Sequence, residues 1–293
     1  MILKENRALN LVGRLLFASL MLSLVAAAAS ANDGGAWTVG KGEWYSEIRA
    51  ERVSANQLFL PDSRDADIPY NTRFQSNRLV SYNELGWKKN VSFVFNLPLE
   101  SNVWSSGPNQ QSVTGLSDLV LALRVRLRDG SPGIVLDGGW KAPLGYEKDL
   151  FPTLGNGRQE GFTAINFGLS LPWIHGFAEA ARGLRFIGED GVLYTHTTVD
   201  VAGWVGSRVL IGARYNDQVP INSEASLSNL SSSFSAGPVL VFRVDDRIDL
   251  TAGSWHDWYG RNSLRENQVY VSFSIKKSKL NRLQGFLGSS KKP

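Results

Sequence analysis

The chain has 293 residues, no cysteine, and 31 basic against 27 acidic side chains. Without cysteine there are no disulfides, thiolate metal sites or cysteine nucleophiles. The basic excess sits at the two ends: residues 32–275 carry 22 basic and 26 acidic groups, so the body is mildly acidic. It lacks the basic face of a nucleic-acid binder.

At the N-terminus, Lys4, Arg7 and Arg14 precede an apolar run from Leu15 to Ala29, and Ala29-Ser30-Ala31 offers a small-residue cleavage site. This pattern predicts export and removal of residues 1–31 as a signal peptide, since the run is shorter than the roughly 20 residues of a spanning helix. Beyond it the chain alternates. Residues 118–130, DLVLALRVRLRDG, place Leu119, Leu121, Leu123, Val125 and Leu127 on one parity and Arg124 and Arg126 on the other. In a strand those parities face opposite ways. The same period predicts twelve strands, at 42–53, 78–87, 91–98, 116–128, 133–142, 162–171, 176–187, 192–204, 208–216, 233–244, 247–256 and 267–276. The barrel domain spans 32–276, and a basic tail of 277–293 follows, expected to be mobile.

The connections alternate as well. Long polar stretches at 54–77, 99–115, 143–161, 217–232 and 257–266 exchange with short turns at KKN, DGSP, PWIH, VGS and DDR; only the link at 188–191 is short out of turn. Long loops on one rim and tight turns on the other define an up-and-down transmembrane barrel with both termini at the periplasm. Twelve strands with an apolar interior would enclose a large greasy void, whereas an apolar exterior meets lipid. The inward parity then collects Glu47, Arg49, Glu84, Arg124, Arg126, Asp137, Lys141, Asp200, Arg214, Arg243 and Asp249 as lumen-lining residues. Facing lipid near the midplane, a charge would cost about 2–4 kcal/mol; in a wet lumen these groups pair with one another or bias a pore. By this reading Arg at Leu121 damages assembly and Leu at Arg124 is tolerated. Trp44, Trp87, Trp140, Trp173, Trp204 and Trp255 fall near strand ends and are expected in interfacial girdles.

The stretches GLSDLVLALRVRL, GGWKAPLG and LGNGRQEGFTAINFGLSLP resemble the central part of the outer-membrane barrel transporters associated with the meta-pathway of phenol degradation. Asp118 and Arg126, Pro143 and Gly145, and Gly155 and Gly157 carry the likeness, over about 42–275. The resemblance implies a barrel admitting small, often aromatic or hydrophobic, molecules, and supplies no catalytic residue. One departure is that the last strand, QVYVSFSI, is followed by a basic tail instead of ending the chain on an aromatic residue.

An enzymatic barrel acting on lipids and a barrel without an open pore are the rival classes. There is no G-x-S-x-G elbow, and His196 with Asp200 reads as a lumen ion pair. His175 and His256 fall near strand ends, and no zinc spacing occurs. Asp62, Asp65 and Asp67 alternate as in a calcium loop but lack its glycine and distal glutamate, so they read as a solvated loop. No cofactor is implied. The expected partners are outer-membrane lipids and lipopolysaccharide, a small-molecule solute, and the outer-membrane assembly machinery, with no nucleic acid.

Overall fold

The computed structural model describes residues 36, 38–68, 72–146, 151–188, 191–221 and 231–277. The predicted signal peptide and the tail beyond Lys277 lie outside the described residues.

The strands are β1 (Trp44–Phe59), β2 (Asp65–Asp67), β3 (Arg73–Lys88), β4 (Val91–Ser106), β5 (Asn109–Leu116), β6 (Asp118–Arg128) and β7 (Gly133–Pro143). They continue with β8 (Glu160–Leu171), β9 (Gly176–Ile187), β10 (Val192–Val205), β11 (Val209–Pro220), β12 (Ser232–Arg243), β13 (Ile248–Arg261) and β14 (Ser263–Lys277). Every pairing is antiparallel, β1 meeting β3 and β4 meeting both β5 and β6, with successive strands paired from β6 onward, and β14 closes on β1 from Trp44↔Lys277 to Phe59↔Ser263. β5 and β6 follow one line along β4, so the wall is a closed barrel of twelve strands, with β2 a short flap on β1. Closure leaves no unpaired sheet edge, which is what a β-structure in lipid requires.

The predicted strands are all present, but several loops are shorter than expected. β4 and β5 form a hairpin turning at Gly107, and β13 and β14 turn at Asn262, which has φ 47°. The stretches 99–115 and 257–266 are therefore mostly paired strand instead of loop. Polar residues on both faces hide the period of two there, because above the lipid neither face has to be apolar. The predicted strand 116–128 is interrupted at Ser117.

The faces divide as alternation demands. Outward on β6, Leu121 and Leu123 are 43% and 42% exposed, while inward Arg124 is 0% exposed. Ile48, Phe93, Phe95, Leu136, Leu184, Ile211, Leu240, Val271 and Phe273 continue the exposed apolar belt. Trp87, Trp140 and Trp173 face outward as expected, joined by Trp258. Trp204 and Trp255 correct the girdle expectation: they share the parity of Asp200 and Asp249, and lie under the guanidinium groups of Arg243 and Arg214, 4.2 Å and 5.4 Å from the ring centroids. On β1 and β3 three outward polar side chains pair with one another, Ser46 Oγ donating to Asn83 (2.8 Å) and Asn83 Nδ2 to Ser81 (2.9 Å), while Arg182 stands outward and exposed on β9.

Leu121→Arg puts a cation into this belt. It is expected to cost about 2–4 kcal/mol and to reduce the fraction of heat-modifiable, folded barrel. An unchanged folded fraction on gel migration would count against the lipid-facing assignment of this wall.

Candidate functional site: the barrel interior

The interior is built from inward positions that the strand register brings level. Arg124 is its centre. It donates from Nε to Asp137 (2.9 Å) and from Nη1 to Glu84 (3.2 Å), and all three are buried. Glu84 and Arg124 lie on strands separated by β4, and the residue between them, Ser92, is small and buried enough to let the guanidinium cross. Ser92 Oγ also donates to Glu84 (2.7 Å), and Asn166 Nδ2 donates to Asp137 (2.8 Å). One network therefore ties β3, β4, β6, β7 and β8. Glycine at 139 clears the space beside it: a Cβ there would meet Leu121 O at 2.4 Å.

A second cluster sits toward the long-loop end. Lys141 Nζ lies 2.9 Å from Asp118 and 3.2 Å from Glu160. Arg185 grips both oxygens of Glu160 and donates to Gln218 (2.8 Å). Elsewhere Arg214 pairs with Asp200 (2.6 Å), Arg49 with Glu51 (2.7 Å), and Arg78 with Glu100 (3.5 Å). Near the short turns Asp249 meets Lys276 (2.7 Å) and Arg243 (3.7 Å), and Glu47 accepts from Tyr45 (2.7 Å). Arg126 leaves the strand face to bind Asp129 (2.6 Å) and Thr38 (2.9 Å).

Each residue expected in the lumen thus has a half-buried or buried side chain with a charged or polar partner. The expected His196–Asp200 pair does not form: Asp200 is taken by Arg214, while His196 Nδ1 is buried without a hydrogen bond among the described residues. Sequence reading left Glu51, Glu160, Glu179, Arg185 and Lys276 aside, and named Asp118 for the family likeness but not among the lumen residues. Glu51 shares the inward parity of Glu47 and Arg49, so the period contained it; Glu179 and Arg185 on β9 and Lys276 on β14 lie on the inward parity of strands that supplied no residue to the expected set. Glu160 fell in a stretch read as loop.

Two further segments enter the barrel. The N-terminal stretch is buried at Ala36, Thr38 and Val39. Ala36 N donates to Glu179 (3.2 Å) and Val39 N to Glu84 (3.0 Å), so a backbone strand occupies the short-turn mouth. Gly86 permits this approach, since a Cβ there would lie 1.8 Å from Gly40 O. At the other end, loop 151–158 folds onto Asp118, which accepts from Asn156 N (3.1 Å) and from Tyr146. Burial, and then the Asp118 carboxylate, push the Tyr146 phenol above its ordinary range, so it stays a donor. Gly155 and Gly157 have φ near +62° and +68°, the conformation the loop needs to bring its amides to Asp118 and Tyr146. The acidic loop residues are engaged as well: Asp62 is held below the usual carboxylate range by the Arg64 backbone amide and then its guanidinium, and Asp65 pairs with Arg265.

Above the paired charges lies an aromatic vestibule of about 550 Å³. Phe74 and Trp104 are inward strand residues 6.3 Å apart, and Phe151 of the folded-in loop meets Trp104 at 5.1 Å, edge to face. Beside it, meeting it at Arg78, Leu264 and Glu266, a polar cavity of about 490 Å³ is lined by Arg49, Arg214, Trp255, Glu179 and Asp257.

No family model matches the chain, and no curated protein matches it. Among solved structures, an outer membrane channel from Pseudomonas putida F1 superposes with a TM-score of 0.68 at 11% identity, covering 85% of this chain and 100% of that one. The translocator domain of the autotransporter NalP from Neisseria meningitidis gives 0.50 at 10% identity, over 80% and 87% of the two chains. These likenesses establish the fold: an outer-membrane type of β-barrel.

Proposed function

We propose that this protein is an outer-membrane channel or facilitator that passes small molecules, aromatic or hydrophobic ones foremost, after export and signal-peptide cleavage. The aromatic vestibule of Phe74, Trp104 and Phe151 carries this reading, because tilted and edge-on rings around one cavity favour a flat apolar solute. The polar rim of Asn102, Lys141 and Asp118 beside it would hold a hydroxyl or carboxylate on that solute. The resemblance to the phenol meta-pathway transporters supports the same solute class. Below the vestibule, the charge-paired lumen sets the field along the path, and the N-terminal segment narrows its exit.

Titration of the detergent-solubilised barrel with phenol tests this. Saturable binding is expected, weakened by about two- to tenfold in Trp104→Ala, the worth of an aromatic contact. Equal binding by the two proteins, or binding of cyclohexanol as tight as phenol, would remove the vestibule from the solute path.

A further inference from the structure

The outer wall carries a groove unrelated to the lumen. It lies over the seam of β14, β1, β3 and β4, has a volume of about 490 Å³, and runs over Ala50 between Leu79, Leu99 and Val271. All four side chains point outward. The small Ala50 makes the depression, because its neighbours in register, Leu79 and Val271, stand 48% and 60% exposed on either side. At its upper end the lining changes from hydrocarbon to Arg52, Asn77 and Ser101.

The depth of that change identifies what meets it. Arg52 is level in register with Asn77, and Asn77 and Trp87 share the outward face of β3. At about 3.3 Å rise per residue and about 40° tilt, Asn77 stands roughly 25 Å above Trp87, the height of a barrel's apolar band. Arg52 therefore emerges at the headgroup level of the leaflet on the long-loop side, with the apolar groove hanging beneath it into the acyl layer. Arg73 is outward and exposed further up β3. No outward position of β1, β3 or β4 is acidic: the acids of these strands, Glu47, Glu51, Glu84 and Glu100, all point inward and are buried. An outward cation with no carboxylate on its own face, above an apolar groove, complements an anionic lipid.

We infer that this groove binds one phosphorylated glycolipid of the outer leaflet, of the lipid A type. An acyl chain lies over Ala50 and a phosphate accepts hydrogen bonds from the Arg52 guanidinium, with Asn77 and Ser101 beside the sugar. This rests on the outer-membrane reading above, and it gives the expected lipopolysaccharide partner a place on the molecule.

Native mass spectrometry of the refolded barrel with bisphosphorylated lipid A, and with the same lipid stripped of its phosphates, tests it. The wild type is expected to retain one phosphorylated lipid at high collision energy and to lose the dephosphorylated one. Arg52→Gln should cut retention by roughly fivefold, the worth of one basic residue at a charged lipid surface. Ala50→Trp should cut it by filling the groove, while Arg182→Gln, at an exposed position on β9, should leave it unchanged. Gel migration confirms that each variant is folded, and phenol binding reports the lumen separately. Equal retention by Arg52→Gln and wild type, or of both lipids by the wild type, overturns the site. If phenol binding is intact in a barrel that retains no lipid A, this inference fails and the channel reading stands.

Discussion

Arg124→Leu is expected to destabilise the folded barrel by about 3–5 kcal/mol, the cost of leaving buried charges without their partner. The leucine would fit the volume, but Glu84 and Asp137, at 0% and 1% exposure, would keep their charges in a site water does not reach. The sequence reading expected this substitution to be tolerated, on the premise that an inward residue stands in water. The structure corrects that premise: Arg124 lies inside a packed network, 2.9 Å from Asp137 and 3.2 Å from Glu84, and away from the open lumen. Urea unfolding of the barrel in lipid vesicles measures the effect. The triple change Arg124→Leu, Glu84→Gln, Asp137→Asn should recover much of the loss, because no unpaired charge then remains. A single variant as stable as wild type would show that water reaches the cluster after all.

Opening of the short-turn mouth is the second large effect. Gly86→Ala should raise single-channel conductance in planar bilayers by about twofold or more, since the narrowest charged or packed point of a pore sets its current. The added methyl would sit 1.8 Å from Gly40 O, so the segment at 38–40 must leave the wall. Its other holds are Ala36 N on Glu179, Val39 N on Glu84, and Arg126 on Thr38 through both its hydroxyl and its carbonyl. Combining Gly86→Ala with Arg126→Gln also removes the grip on Thr38 and should raise the current further. Conductance identical to wild type in the double variant would mean that the constriction lies elsewhere, with the clusters around Arg124 and Glu160 as the next places to open.

By itself the sequence determined which way each side chain on a strand would point. A period of two has only two phases, so once Leu121 faces lipid, Arg124 and Arg126 must face in, and the same holds for Asp137, Asp200 and Asp249 on their own strands. Strand number and the distribution of short turns followed from the same periodicity. Where both faces are polar, as in 109–115 and 257–266, the period carried no information and paired strand was read as loop. The tertiary structure alone decided which inward charges meet. Glu84 reaches Arg124 across β4 because the register sets Ser92, and not a larger residue, between them. Asp200 meets Arg214 instead of His196 because the β10–β11 register places it directly opposite. Alternation assigns a face but no height on that face; height comes from register and from the closure of β14 on β1, which are properties of the whole sheet. The entry of residues 36 and 38–40 and of loop 151–158 into the barrel was decided there as well. Neither segment has a period, and each is held by partners, Glu84, Glu179 and Asp118, that only the closed wall brings within reach.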